Sequence, residues 1–405
     1  MIPDAEQVLH YVIFVPFSVW TTLVFALALL CHIFLGNSNK PLVYLPTLYY
    51  KESSFSQFLL EQIPRLRTPY YPPLWASNPH VQTIVSRYLL PSREVYYERQ
   101  NLQLKDKGLV SLDWAVTCDV NSRLISSTKE YSRLILLLPN LTDDALSVAE
   151  MSQKALSREF RPIIYNRRGH GNTPLLTPKL QTYGDPSDLR QAIKYVKSRY
   201  PHAHLSLIGY GTGADLLLAY LGEYGSSAYM SAAVAISPLY DPESIYESEM
   251  PQPHKFIRLL AQRNLVNRHS SALSKVIDVD TAIHSNTVAE FEKRVYWKMC
   301  SCESWEQYWE KNAPLRDADE MSVPLLCISS KDDPLVPREA IPYDVFHVYP
   351  QLVLVETRCG GHCCFLQSGT FVPDSWANSL ALDFLKVTLE FSSNEKRMTK
   401  SASNL

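Results

Sequence analysis

The stretch Leu205-Ser206-Leu207-Ile208-Gly209-Tyr210-Gly211-Thr212-Gly213-Ala214-Asp215-Leu216-Leu217-Leu218 decides the fold. An apolar run of strand length enters a cluster of glycines and leaves as Ala214, Leu216, Leu217, Leu218 and Leu221, the pattern of a buried strand turning sharply into a helix. The spacing matches the elbow Gly-x-Ser-x-Gly, in which small residues flank a serine held on a strained turn at the mouth of a sheet. Gly209 and Gly213 take the flanking places, and Gly211 stands where the serine is due. The turn is there and the attacking atom is missing. Sliding the register to make Thr212 the nucleophile puts Tyr210 where a small side chain is needed. As Gly209-x-Gly211-x-x-Ala214, the glycines also satisfy a dinucleotide fingerprint, which wants an acidic residue at the end of the next strand. That strand, Ala232 to Ile236, ends at Ser237-Pro238, so the ribose contact is lacking. A tight turn without function is the plain alternative.

Outward from this stretch, strands and helices alternate. Leu134 to Leu138 reads as a fully apolar strand, Asp144 to Arg158 as a helix, and Pro162 to Tyr165 as the next strand. Asp185-Pro186-x-Asp188 carries the signals of a helix start, and Leu189, Ile193 and Val196 give that helix one apolar face. Strands resume at Pro324 to Ser329 and Gln351 to Val355, and a closing amphipathic helix spans about Asp374 to Leu389. The alternation predicts an α/β fold, a mostly parallel sheet flanked by helices. Runs at Glu94 to Arg99 and Leu109 to Val116 read as an antiparallel lead-in. From Leu239 to Asp319 the alternation stops, and a segment this long should carry helices of its own, as a cap. Trp297, Trp305, Tyr308 and Trp309 there either line an acyl groove or simply pack together.

The 405 residues, 46% hydrophobic and 20% charged, suffice for a full core. A net charge of -2 without a run of lysine or arginine excludes nucleic acid as a partner. The eight cysteines are scattered, without zinc or disulfide-framework spacing, and read as free thiols. Asn140-Leu141-Thr142 is a glycosylation sequon, but it falls at the end of an apolar strand where a glycan hardly fits. Near the N-terminus, Tyr11 to Leu35 lacks any charge and is long enough to span a bilayer as a helix. A cleaved signal peptide is the rival, though acidic Asp4 and Glu6 precede the run. Lys40 and Lys51 after it hint at a cytosolic body.

The sequence therefore divides into an anchor at 8–36, a juxtamembrane arm at 37–67, a catalytic-type domain at 68–392 with its cap at about 239–319, and a disordered tail at 393–405. The expected location is a membrane, crossed once, the endoplasmic reticulum first; secretion is the alternative if the segment is cleaved.

An acyl-transfer site needs a nucleophile, a histidine, a carboxylate to orient it, and N–H donors for the oxyanion. After the elbow come Lys331-Asp332-Asp333-Pro334 and Gly360-Gly361-His362, each directly past a strand end at the same sheet edge. Asp333, opening an Asp-Pro turn, is the preferred acid over Asp332, and His362 the base. Helix capping by the two aspartates and a structural histidine are the bland readings. Cys363 and Cys364 read as packing.

The set Trp75-x-x-Asn78-Pro79-His80-x-Gln82-Thr83, Ser111-Leu112-Asp113-Trp114, Leu138-Pro139-Asn140-Leu141-Thr142, Tyr165-Asn166-Arg167-Arg168-Gly169-His170-Gly171, Asp333-Pro334 and Gly360-Gly361-His362 resembles the AB hydrolase-4 family, the membrane-anchored branch of the alpha/beta-hydrolases. The likeness covers about Pro69 to Leu389. It implies an alpha/beta-hydrolase fold, a serine esterase or acylglycerol lipase ancestry, an acyl lipid or ester as ligand, no cofactor, and an N-terminal transmembrane helix. Arg167-Arg168-Gly169-His170, Gly184-Asp185-Pro186-Ser187-Asp188-Leu189 and Asn312-x-Pro314-Leu315-Arg316-Asp317 are similar to a vertebrate subgroup associated with control of lipid storage, in which the elbow serine is also absent. The resemblance also implies an oxyanion loop, here Asn140 and Leu141 with Thr212 from the elbow. The family reads Pro-Gly-Leu-Thr-Gly where this chain has Pro139-Asn140-Leu141-Thr142-Asp143, and an acid at Asp143 opposes oxyanion stabilisation. The expectation is a lipid-binding or regulatory protein of lipolysis, with a possible regulatory protein partner. A residual or displaced-nucleophile carboxylesterase is the alternative, with Thr212 or Ser237 as the displaced hydroxyl.

Overall fold

The computed structural model describes residues 44–88, 90, 93–116, 132–141, 143–248, 250–368 and 373–402. The expected anchor at 8–36 lies outside them. Among the described residues no helix is long and apolar enough to cross a membrane.

Nine strands form one sheet: β1 (Thr47–Tyr50), β2 (Tyr96–Gln103), β3 (Leu109–Val116), β4 (Arg133–Leu138), β5 (Arg161–Asn166), β6 (His204–Tyr210), β7 (Ala232–Ile236), β8 (Leu325–Ser330) and β9 (Leu352–Thr357), in the order β1-β9-β8-β7-β6-β4-β5-β3-β2. The strands from β5 to β9 run parallel, and antiparallel pairs close both edges. Along β4, Leu134, Leu136 and Leu138 enter one core while Ile135 and Leu137 enter the other. Successive strand side chains point to opposite faces, so a strand apolar throughout must be covered on both. From β4 the chain steps to β5 on one side and later to β6 on the other. The crevice this reversal leaves at the carboxyl ends of β4 and β6 is where such sheets collect their sites.

The covering helices in the first half are α1 (Ser54–Gln62), α2 (Pro79–Tyr88), α3 (Ala149–Ser157), α4 (Ser187–Arg199) and α5 (Thr212–Tyr224). On α4, Leu189, Ala192, Ile193 and Val196 recur at helical spacing and are buried together. Asp185 sits just outside this helix and accepts the Ser187 N–H at 3.0 Å. Between β7 and β8 lie seven helices among the described residues: α6 (Pro242–Glu247), α7 (His254–Arg268), α8 (Ser270–Leu273), α9 (Val279–Ile283), α10 (Val288–Arg294), α11 (Tyr296–Met299) and α12 (Trp305–Asn312). They form a cap packed on the same core as α4 and α5. After β8, α13 (Tyr343–Val348) precedes β9, and α14 (Trp376–Ala402) closes the described chain.

Two expectations are corrected, and of the two readings left open for the cap aromatics the packing one holds. The segment 37–67 is not an irregular arm where it is described. β1 adds an antiparallel strand beside β9, and α1 buries Phe55 and Leu59 against α14. The helix start was hidden because its capping box pairs two serines, Ser53 and Ser56, each accepting the other's backbone N–H, where the usual signature carries Glu or Gln. The tail is not disordered from 393: α14 continues to Ala402. Its charged residues Glu395, Lys396 and Arg397 are good helix formers on a solvated turn, which a composition-based reading takes for disorder. The cap aromatics do not line a groove. Trp305 stacks on Tyr308 at 5.0 Å, and Trp297 and Trp309 meet Trp305 edge-on. They fill one another's space, as offset and edge-to-face ring pairs do.

Candidate functional site

β6 enters the elbow at Tyr210 and α5 leaves it at Thr212, with Gly211 between them at φ 51° and ψ −120°. The Gly211 N–H is held by Ile236 O at 2.9 Å, and its carbonyl accepts from Ala214 and Asp215 of the helix. A side chain on Gly213 would run into the backbone of the loop after β4, 2.6 Å from Pro139 O, so that flank has to be glycine. The buried Arg167 guanidinium donates to Thr212 O at 2.9 Å and fixes the first turn of α5.

His362 sits on the loop after β9. Its Nδ1 lies 2.9 Å from Asp333 Oδ2 and 3.2 Å from Oδ1, and both side chains are buried. Asp333 is itself oriented by the N–H groups of Leu335 and Val336. Asp332 turns away and accepts from Ser330 Oγ and Gly361 N; burial pushes its carboxyl up to about 6. α2 holds the histidine loop from below: Thr83 Oγ1 accepts the His362 N–H, and Gln82 Oε1 accepts that of Leu366. Burial alone would penalise the imidazolium. The Asp333 charge outweighs it, helped by the Cys363 thiol, and holds the His362 pKa well above the usual 6.5.

The far edge of the ring faces the turn. A Cβ placed on Gly211 would come 3.0 Å from His362 Nε2 and 3.1 Å from Asn140 Cγ. Base, orienting acid and empty nucleophile position are therefore in register. The oxyanion position is different. Asn140 Oδ1 accepts the Leu141 N–H at 2.8 Å, the Thr212 hydroxyl at 2.6 Å and the Thr212 N–H at 3.4 Å. Thr212 Oγ1 also accepts the Leu141 N–H at 2.7 Å. Both backbone donors that would stabilise an oxyanion are already bonded inside the protein. Thr142 lies outside the described residues.

Neither rival hydroxyl takes the place of the serine. Thr212 Oγ1 is spent on Asn140 and Leu141, and Ser237 Oγ accepts the Cys363 N–H at 3.0 Å; both residues are buried. Asp143 is not an open charge beside the site, because it pairs with Arg87 of α2. The dinucleotide reading finds no carboxylate at Ser237, and an imidazole fills the approach to Gly211.

A cavity of about 500 Å³ opens at this point, lined among others by Asn140, Met250, His254, Arg258, His362 and Cys363. Met250, His254 and Arg258 come from the cap segment, and His254 Nε2 meets His80 Nδ1 of α2 at 2.9 Å, tying cap to body. Behind the elbow, Asp215 is fully buried. One oxygen accepts the Leu239 N–H, the other has no partner among the described residues, and burial pushes its carboxyl up to about 7.

Two features escaped the sequence. The carboxamide of Asn140 plugs the oxyanion donors; the Asn for Gly difference was visible, but its side-chain direction was not. Cys363 and Cys364 pack against apolar clusters as the sequence suggests, and both also border the cavity, which the sequence does not reveal.

A central parallel sheet, a glycine elbow after β6, and an Asp–His pair on the loops after β8 and β9 together define the alpha/beta-hydrolase architecture. The chain belongs to the alpha/beta-hydrolase family: residues 129–348 match the family described as serine aminopeptidase, S33. It is similar to human Protein ABHD15, 36% identical over 371 residues that cover 90% of this chain and 78% of that protein. It is also similar to the Bos taurus Phospholipase ABHD3, 30% identical over 350 residues, covering 85% of this chain and 83% of the relative. The Bos taurus Monoacylglycerol lipase ABHD2 is 23% identical over 378 residues, covering 87% and 88%.

Proposed function

We propose that this chain is a membrane-anchored alpha/beta-hydrolase-fold protein of lipid metabolism in which serine-route hydrolysis is disabled and the cavity holds an acyl lipid. The observation that carries the reading is the Asn140 plug: the N–H donors of Leu141 and Thr212 are bonded internally, across from a Gly211 that offers no hydroxyl. Nucleophile and oxyanion stabilisation fail together. Losing the nucleophile alone typically removes around a million-fold of rate. The relatives' names, a phospholipase and a monoacylglycerol lipase, support an ester lipid as the ligand class. A role as regulator of lipolysis, with a protein partner, is part of the same reading.

The test is labelling of the purified protein with a fluorophosphonate, alongside binding of a fluorescent fatty-acyl probe. The expected result is probe binding without serine labelling. Stoichiometric labelling that disappears on Thr212→Ala or Ser237→Ala would refute the reading. The anchor is tested by alkaline extraction of membranes, from which a chain lacking residues 1–43 should be released.

A further inference from the structure

Three arginines line the cavity: Arg87, Arg93 and Arg258. Arg87 is paired with Asp143, and Arg93 meets Asp374 at 2.8 Å. Arg258 has no ion pair among the described residues. Its one hydrogen bond there runs from Nη2 to the Tyr246 hydroxyl of α6, and the centroid of that tyrosine ring lies 4.4 Å from the guanidinium carbon. Its Nε is buried without a partner. An enclosed cation that lacks a counter-charge is costly, so a site of this kind favours an occupant that brings one.

The two acids whose fields reach Arg258 do not supply a full charge. Glu292 of α10 accepts the Tyr308 hydroxyl at 2.7 Å and the Gln262 amide at 3.5 Å, and Asp215 accepts the Leu239 N–H. Burial pushes both carboxyls up to about 7, so near neutral pH each is protonated about half of the time. Arg167 adds a second buried guanidinium behind the elbow, with Nη2 on Thr212 O and Nη1 unpartnered. Two permanent cations thus face two partly neutral acids, and the balance under the cap is positive.

Arg258 follows His254 by four residues on α7, so both project from one face of that helix. The 2.9 Å contact of His254 with His80 fixes α7 over the body and keeps Arg258 at the cavity. Met250, Ile257 and Leu335 stand in the same wall and offer apolar surface to a chain.

We propose that the occupant of this cavity is an acyl lipid with an acidic headgroup, a carboxylate or a phosphate, which docks on Arg258 while its chain lies along Met250, Ile257 and Leu335. The proposal rests on the acyl-lipid reading of the pocket and narrows it. A guanidinium presents its N–H groups as a planar fork that fits either oxyanion, and charge-assisted bonds of this kind are the strong ones. A neutral glyceride would leave the cation uncompensated, so the site selects by headgroup. Docking needs neither nucleophile nor oxyanion hole, and the bonds of Asn140 to Leu141 and Thr212 stay as they are.

The experiment titrates the full chain in non-ionic detergent with oleate, 1-oleoyl-lysophosphatidate and 1-oleoylglycerol, and reads each dissociation constant by native mass spectrometry. At least one of the two acids should bind about tenfold or more tightly than 1-oleoylglycerol, and the tighter of them tells carboxylate from phosphate. Arg258→Met should lose that preference while still binding 1-oleoylglycerol as wild type does; a merely structural arginine would lower binding of all three lipids together. Arg258→Lys should keep part of the preference, and Arg268→Gln, an exposed arginine of the same helix, all of it. Equal affinity of wild type for acid and neutral lipid overturns the proposal, whatever the variants do. So does a preference that survives Arg258→Met or disappears in Arg268→Gln. Those results leave the pocket reading standing, whereas a wild-type chain that binds none of the three lipids ends both.

Discussion

Gly211→Ser restores the missing hydroxyl and is expected to give a less stable protein that is still inactive. The added Cβ would lie 3.0 Å from His362 Nε2 and 3.1 Å from Asn140 Cγ and Nδ2. Both neighbours are tighter than ordinary contact and must give way, although each is held: His362 by Asp333, Asn140 by Leu141 and Thr212. The φ of 51° adds the strain of a left-handed position, so the combined cost is of order 1–3 kcal/mol. Equilibrium urea unfolding should show it as a lower midpoint at unchanged slope.

Activity is limited elsewhere. Removing one oxyanion donor costs roughly 10²–10³ in kcat, and here both donors are occupied. Gly211→Ser alone should therefore show no turnover of a p-nitrophenyl acyl ester above background. Gly211→Ser with Asn140→Gly, which frees Thr212 N and leaves Leu141 N held only by Thr212 Oγ1, should gain at least about a hundredfold over the single variant. The assay is ester hydrolysis with fluorophosphonate labelling as a count of competent serines. If the single variant hydrolyses as fast as the double, the plug does not control the site and the reasoning fails.

The buried Asp215 gives a pH dependence. Burial raises its carboxyl to about 7, so the folded state keeps a proton that the unfolded chain releases near 3.8. Its contribution to stability is full below the unfolded value and is lost as pH rises to about 7, at up to about 1.4 kcal/mol per unit. Asp215→Asn keeps the acceptor for Leu239 N and should flatten the difference between unfolding free energies at pH 5 and pH 8; an unchanged slope would exclude Asp215 as its source. A third prediction concerns β1 and α1. Truncation to residue 44 should leave a folded body, whereas truncation to residue 68 removes the buried Phe55, Leu59, Ile63 and Leu66. At about 1.5–3 kcal/mol for each, that approaches the whole stability of a domain, so the shorter chain should be insoluble or lack a cooperative melt.

The sheet was legible because its central strands carry apolar runs and its turns are marked by glycine and proline. β4 and β7 carry such runs, and so does the passage from β6 into α5. The acid and base were legible for a related reason: each follows a strand, on a loop opened by a breaker, at Asp333-Pro334 and Gly360-Gly361. What stayed hidden depends on side-chain direction or on partners distant in sequence. β1 is four residues long and owes its strand character to β9, some three hundred residues on. Asn140 reads as a sequon in the sequence, and only its rotamer reveals that it bonds two backbone donors at once. Cys363 and Cys364 are neighbours of one type and both border the cavity, and only the fold separates their thiols, Cys363 donating to Ile236 O and Cys364 accepting from Ser86 Oγ.

The two departures from a working hydrolase are physically one. With no serine and no substrate, the N–H of Thr212 would be left without an acceptor, at about 1–3 kcal/mol, and that of Leu141 would keep only Thr212 Oγ1. Asn140 supplies that acceptor, and it fits because Gly211 presents no Cβ: the nearest carboxamide atoms lie 3.1 Å from where one would be. Conversely, a serine on the turn would need the space that the carboxamide holds. Asn140→Gly alone leaves the Thr212 N–H unpaired and Gly211→Ser alone forces a contact with the carboxamide, a contact that the pair together removes. A double-mutant cycle on stability should therefore show favourable coupling within the range of about 0.5–3 kcal/mol seen for touching residues. On the proposed reading, the absent hydroxyl and the occupied donors are therefore linked, and each substitution alone should fail to restore the site.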